Sequence, residues 1–275
     1  MRLMTYNIKA GRYHPDGLNA IARLIEAYSP DVLGVQEVDE NQPRTNFVAQ
    51  TDWLTRRLRM RGLYAPAMQR DDGLYGVALL SRFPIQTHER RLLFRPAYPD
   101  ADKRPRHDSE QRVALGAVIA YVERQTQGQT HRSAPTPDAS VGANLRVRPF
   151  KVIVTHLGLT PDQRERQVTE LAEFARTWHG DLPTMIMGDF NCDPDAPELA
   201  PLHAHFQEAC AVSGVNGDAR FTFPSGPLGA RTDDGWRSAI DYVWATHDIR
   251  ITSARVIIDE TKASDHQPLV VEVEM

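Results

Sequence analysis

"IMGDFNCDPDAPE", residues 186–198, begins as an apolar strand and ends in a run of Asp and Pro. Between the two halves stand Asp189 and Asn191, a carboxylate and a carboxamide that folding alone does not require. On an extended segment, residues two positions apart project to the same side. The strand therefore delivers two polar groups just before "CDPD" turns the chain.

The same arrangement recurs outward from this segment. MTY ends at Asn7, VLGV at Gln36 and Glu37, and KVIVT at His156. AIDYVWA contains Asp241, and "KASDHQPLVVEVEM" sets Asp265 and His266 immediately before a last apolar run. Singly, each has an ordinary explanation as a turn residue, a solvated strand end or a hydrogen-bonded core histidine. Together they are polar groups brought to strand ends in both halves of the chain. Burying so many costs free energy unless they satisfy one another or a bound ion.

Apolar runs rich in Val, Ile, Leu and aromatics predict strands at 3–8, 32–38, 76–81, 113–122, 150–155, 184–187, 240–245, 250–258 and 269–273. Several are apolar on both faces, as in buried sheets. Three helices separate from them. Asp16 is the expected cap of a helix carrying Leu18, Ile21, Ala22, Ile25 and Tyr28 at helical spacing, ended before Pro30. Thr51 or Asp52 opens a second through Leu58, with Gly62 as its stop. Thr160-Pro161-Asp162-Gln163 reads as a capping box opening a third, closed by Gly180. A fourth is expected from about 197 to 210, with Pro201 inside it. Strands with interspersed helices predict an α/β or α+β layered fold. The polar stretches 95–112 and 124–149 read as loops, the second mobile. Candidate site residues flank both, so residues 1–275 are expected to form a single domain.

With 275 residues, 41% hydrophobic and 25% charged, the composition is that of a soluble globular protein. No apolar run approaches the about 20 residues of a membrane span, and no signal-peptide core precedes the first strand; a cytoplasmic location is the default expectation. The net charge of −4 excludes a generally basic nucleic-acid binder. Arg far outnumbers Lys, which fits genomic composition before it fits phosphate binding. Cys192 and Cys210 have neither disulfide-framework nor metal-site spacing.

These residue types suit one reaction. Mg²⁺ prefers one or two carboxylates together with waters and substrate phosphate, and Glu37, alone or with Asp265, meets that need. Phosphoester hydrolysis also requires a base for water and donors for phosphoryl oxygens, roles open to aspartates, amides and histidines. Zinc is disfavoured by the absence of paired cysteines. The chain has neither G-x-x-x-x-G-K-[ST] nor G-x-S-x-G, so nucleotide triphosphatase and serine hydrolase readings lose support.

"MTYNIKAG", "PDVLGVQEVD", "YGVALLSRFPI", "VTHLGL" followed by "RERQVTEL", "MGDFNCDP", "AIDYVWA" and "ASDHQPLVVEV" occur in this order across nearly the whole chain. In them the sequence resembles the endonuclease/exonuclease/phosphatase superfamily, the deoxyribonuclease-I-like fold. The resemblance implies a four-layer sandwich of two packed mixed sheets flanked by helices. It implies a divalent metal, normally Mg²⁺ with Mn²⁺ as substitute, and hydrolysis of a phosphoester. Carried over, Glu37 is the main metal ligand, with Asn7 and Asp265 near the metal or its waters. Asp189 orients or deprotonates the attacking water, and Asn191 holds that water or the phosphate. His156 and His266 contact phosphate oxygens, and Asp241 orients one of the two, His156 before His266. Arg112, in Glu-x-Arg before a strand, reaches phosphate or braces Glu110. Arg164 and Gln167 pack the third helix against the rim of the site. Lys9, Arg12 and His14 lie on a loop open to substrate, and Tyr75 and Trp236 are candidate pocket walls.

Within this resemblance the substrate is a nucleic acid, a lipid headgroup or a small phosphoester. Lys9 stands where abasic-site repair enzymes show Asp, and His156 where they tend to carry Tyr, which argues against that branch. A phosphodiesterase or phosphatase is the first expectation and a DNA or RNA nuclease the second. A non-catalytic binding module would not require Glu37, Asp189, Asn191, Asp265 and His266 together.

Overall fold

Strands that are apolar on both faces must be covered on both, and that requirement builds four layers. The structure is a computed structural model and describes residues 1–97, 110–124 and 145–275. Residues 98–109 and 125–144, the larger part of the two stretches read as loops, lie outside the described residues, and with them most of the segment expected to be mobile.

One sheet has the order β11-β12-β1-β2-β4-β3, from β1 (Arg2–Asn7), β2 (Val32–Glu40), β3 (Arg61–Arg70), β4 (Gly73–Ser81), β11 (Arg250–Val256) and β12 (Leu269–Glu274). The other runs β5-β6-β7-β8-β10-β9, from β5 (Ile85–Leu92), β6 (Val113–Arg124), β7 (Leu145–His156), β8 (Thr184–Asp189), β9 (Gln207–Glu208) and β10 (Asp241–Ala245). Each sheet is mixed, with one parallel pair, β1–β2 in the first and β7–β8 in the second.

The two-residue alternation of each strand sorts its side chains between layers. Leu3, Val32, Val77, Leu79 and Val271 meet Leu115, Val152, Val154, Met185 and Met187 between the sheets. On the outer face of the first sheet, Met4, Tyr6, Leu33 and Val35 pack against Ile21, Ile25, Leu54 and Leu58 of α1 (Leu18–Tyr28) and α2 (Gln50–Leu58). On the outer face of the second, Ile153, Ile186 and Trp244 pack against Val168, Leu171 and Phe174 of α3 (Pro161–Thr177). The fold is the expected α/β sandwich. No helix among the described residues is long and apolar enough to cross a membrane.

Several boundaries differ from the sequence-based expectation. Asp16 does not cap α1; it pairs with Arg23, and Gly17 is the cap residue. Arg59, in the left-handed region at φ +53°, ends α2, and Gly62 lies in β3. A Cβ at Gly62 would come within 2.2 Å of the Thr55 methyl, so this glycine serves close packing of strand on helix. Thr160 is the cap residue of α3, but its hydroxyl makes no capping bond. The expected helix at 197–210 is broken into short turns: Pro201 sits in the first turn of a helix at Ala200–His203, and β9 pairs with β10. β7 begins at Leu145, inside the stretch read as a loop, and pairs with β6 from Arg124 onward. The unpredicted β3 and β5 are edge strands. The first carries Pro66 beside a register shift. The second, IQTHERRL, is mostly exposed and charged. Edge strands tolerate both features and lose their apolar signature.

Lys151 of β7 is 1% exposed, and its Nζ donates to the carbonyls of Ala175, Trp178 and Gly180 at 2.7, 2.8 and 2.7 Å. Burial draws its pKa below the ordinary lysine value. This cation satisfies carbonyls at the C-terminus of α3, where the helix dipole favours positive charge. Lys151→Met is expected to cost about 3 kcal/mol by leaving those carbonyls without a donor. In thermal unfolding this reads as a Tm lower by roughly 6–12 °C.

Candidate active site

The strand registers explain why residues far apart in sequence share one end of the sandwich. β1 and β2 are parallel, so Asn7 and the Gln36–Glu37 pair emerge together. β7 and β8 are parallel, and His156 lies opposite Asp189. β10 runs antiparallel to β8, so its first residue, Asp241, also faces Asp189. β12 runs antiparallel to β1, which puts the preceding Asp265–His266 turn at the same end.

Local backbone features then aim the side chains. Glu37 has φ +55° and lies within a register shift between Val35 and Val38 of β2, a bulge that re-aims a side chain. For a non-glycine residue inside a strand this conformation is costly and marks a functional constraint. Gly188 (φ +156°) comes so close to β7 that a Cβ would lie 2.0 Å from the Thr155 carbonyl oxygen, so only glycine precedes Asp189 here. Asn191 does not continue the strand as expected. β8 ends at Asp189, and Asn191 turns into the left-handed region at φ +53°. Its backbone N–H donates to Asp189 Oδ1 at 3.0 Å and its Nδ2 to the Leu157 carbonyl at 3.0 Å.

Asn7 joins the two sheets. Its Nδ2 donates to Glu37 Oε1 at 3.0 Å and to Asp189 Oδ2 at 2.9 Å. Asp189 Oδ2 in turn lies 3.5 Å from His156 Nε2 and 3.7 Å from His266 Nε2. Glu37 and His266 are thereby linked through two intermediate side chains. Of the two histidines expected as its partner, Asp241 takes not the favoured His156 but His266. It accepts from His266 Nδ1 at 2.9 Å. The cause is topological: the start of β10 faces the Asp265–His266 turn, whereas His156 lies across β8.

The two histidines consequently hold opposite protonation states. Burial, reinforced by the nearby charges of Arg112, His266 and Lys9, keeps the His156 pKa well below the ordinary histidine value. Burial would depress His266 as well, but the carboxylates of Asp241 and Asp189 overcome it and raise it to about 10. Asp189 is raised to about 7 by burial, against the opposing pull of His266 and the bonds from Asn7 and Asn191.

Asp265 and Glu37 face the Lys9 ammonium, whose Nζ is 3.0 Å from Asp265 Oδ2 and 3.9 Å from Glu37 Oε1. Burial works against the Lys9 charge, but these carboxylates prevail and its pKa is raised. Arg112, 3% exposed, pairs with Glu110 at 3.2 Å, while its Nε and Nη1 have no hydrogen-bond partner among the described residues. Arg12 is exposed, and no described hydrogen bond or ion pair joins it to the cluster. Arg164 binds Glu198 and Gln167 binds Gly158 and Phe94, holding α3 to the segment after His156. Tyr75 is buried in packing, whereas half-exposed Trp236 lies tilted against Phe223, which packs edge-on against His266.

Sequence reasoning missed the residues that tie the start of β10 and the turn before β12 to the site. Thr222 Oγ1 accepts from the backbone of Ile240 and Asp241, and its carbonyl accepts from Gln267 at 2.7 Å. Ser264 Oγ donates to the Asn7 carbonyl at 2.7 Å. Ser264 belongs to the "SDH" triplet already noted; Thr222 sits in a loop with no periodic signal.

Comparison with known proteins identifies the family. The model of the Endonuclease/Exonuclease/phosphatase family matches residues 4–266. No curated protein matches the chain. Among solved structures, an endonuclease/exonuclease/phosphatase from Bacteroides vulgatus is similar, with a TM-score of 0.70 at 18% identity, covering 100% of this chain and 98% of that one. The human Nocturnin catalytic domain with bound sulfate gives 0.64 at 19% identity, over 100% and 94% of the two chains. The mannosyl-6-phosphatase Bt3783 of Bacteroides thetaiotaomicron gives 0.66 at 15% identity, over 100% of both. These likenesses concern the fold; the family match spans most of the sequence and includes every strand that carries the cluster. On that match, the chain belongs to the endonuclease/exonuclease/phosphatase family.

Proposed function

We propose that the protein is a divalent-metal-dependent phosphoester hydrolase that activates water for in-line attack on phosphorus. The observation that carries this reading is the asymmetry around Asp189. A buried carboxylate with a raised pKa lies between a neutral His156 and a cationic His266, beside a separate acidic cradle formed by Glu37 and Asp265.

The donors of the cradle fit a metal ion, since the two carboxylates converge on a positive charge already, that of Lys9. Glu37 and Asp265, with Asn7 beside them, would hold Mg²⁺ or Mn²⁺, which when bound supplies neutralisation of phosphate charge. A second group of donors, Asp189, Asp241 and His266, lies within 4.8 Å of one another. It suits a metal less well, because His266 is engaged by Asp241 and held protonated, whereas a ligating imidazole is neutral. The chain's own groups divide the work. Asp189 accepts the proton of the attacking water, and Asn7 and Asn191 hold its carboxylate in place. Cationic His266 and the buried, unpartnered N–H groups of Arg112 serve the phosphoryl oxygens as charge develops. Asp241 fixes the tautomer of His266 and sustains its charge.

A chromogenic phosphodiester tests the reading, assayed with Mg²⁺ or Mn²⁺, with and without chelator, for wild type and Asp189→Asn. Chelator-sensitive turnover lost in the variant is expected. Absence of metal-dependent turnover on any phosphoester would leave a binding module instead. Plasmid DNA, RNA and soluble mono- and diesters run across a salt series separate the branches, because a nuclease loses affinity steeply with salt.

Asp241→Asn gives a pH signature. The charged form of His266 is present below its pKa of about 10 and is lost as pH rises through that value. Removing the carboxylate that chiefly raises it is expected to move the basic limb of kcat/KM down by about one pH unit or more. An unchanged basic limb would place the required cation elsewhere.

A further inference from the structure

Lys9 has no role in the chemistry above, yet its ammonium occupies the centre of the acidic cradle. Its side chain is 46% exposed, a value at which a lysine ordinarily extends into solvent. The backbone holds it inward instead. Lys9 and Ala10 both adopt left-handed conformations, φ +48° and +53°, a costly pair for non-glycine residues. The turn is fastened on each side: Lys9 N–H donates to Asn7 Oδ1 at 3.1 Å, and buried Gln50 donates through Nε2 to the Ala10 carbonyl at 2.7 Å. Asn7, which positions Glu37 and Asp189, therefore positions Lys9 too.

We propose that Lys9 is a tethered stand-in for the divalent cation, neutralising Glu37 and Asp265 in the metal-free protein and yielding those oxygens when the metal binds. Like charges brought together without a counter-ion destabilise the folded state. A lysine ammonium answers this without fixed coordination geometry, on a flexible stem that swings outward while the backbone turn stays in place. Ammonium and metal compete for the same oxygens, so the metal's apparent affinity is reduced by the strength of the Lys9 contacts. The inference rests on the metal-dependent reading and adds to it a residue that sets the metal concentration at which the site fills.

The test compares wild type with Lys9→Met and Lys9→Arg by calorimetric titration with Mg²⁺ and by Tm in chelator and in Mg²⁺. Lys9→Met removes the charge at similar length and adds no backbone strain. It is expected to lower Tm in chelator, to tighten the Mg²⁺ Kd about ten-fold, and to show a larger Mg²⁺-induced rise in Tm than wild type. Lys9→Arg, keeping the charge, is expected to stay near the wild-type Kd. In a Glu37→Gln background the gain from Lys9→Met should vanish. If wild type binds Mg²⁺ and Lys9→Met binds it no more tightly, the stand-in role is refuted while the metal-dependent reading survives. If neither binds Mg²⁺ or Mn²⁺, both fall together.

Discussion

Asp189→Asn is expected to lower kcat on a phosphodiester by about 10³-fold, within the range found for removal of a general base, with KM changed little. The carboxylate is 1% exposed and holds its place through Asn7 and the backbone N–H of Asn191. An amide of the same shape preserves the packing but cannot accept the proton of water. The same substitution is expected to raise stability in the metal-free protein. Burial lifts the Asp189 pKa from the ordinary carboxylate value to about 7. Stability associated with a raised carboxyl pKa is present at low pH and lost as pH rises through the folded value. Wild type in chelator should therefore lose Tm between about pH 4 and about pH 7, and Asp189→Asn should lose less. Opposite movements of kcat and Tm are the mark of a group kept for chemistry at the expense of folding. A variant both inactive and markedly less stable at pH 8 would identify Asp189 as structural.

The second large effect is at Glu37. Glu37→Gln is expected to reduce kcat/KM by about 10³-fold at fixed Mg²⁺, equivalent to about 4 kcal/mol of transition-state stabilisation. Gln retains an acceptor for Asn7 Nδ2, which bonds Glu37 Oε1 at 3.0 Å, so the bulge and its neighbours should survive. The distinguishing readout is the metal titration. If Glu37 acts by holding the cation, raising Mg²⁺ or Mn²⁺ should recover part of the activity, and the half-saturating concentration should shift upward. A loss that no metal concentration recovers would assign Glu37 to the reaction itself or to folding.

The distribution of these residues along the chain decides how much could be read without a structure. Central strands such as β1, β2, β7 and β8 announce themselves because both faces are buried. α3 is equally legible, since its apolar stripe has one sheet to cover. The edge strands β3 and β5 were not, because one side of each faces solvent and polar residues or Pro66 are admitted there. The opening pair, Asp189 and Asn191, was identified correctly as two polar groups at a strand end, but the extended geometry inferred for them was not what forms. Asn191 leaves the strand in a left-handed turn, a backbone choice that residue type permits without dictating.

Sequence by itself determined the layers, through hydrophobic runs that need covering on both faces, and the cast of polar side chains at strand ends, through the cost of burying them unsatisfied. Tertiary structure alone decided the pairings: that Asp241 serves His266 and leaves His156 neutral, that Asn7 bridges the two sheets, and that Lys9 points into the acidic cradle. The physical reason is that residue type sets what a group can bind, whereas strand register and a few left-handed backbone turns set what lies within reach.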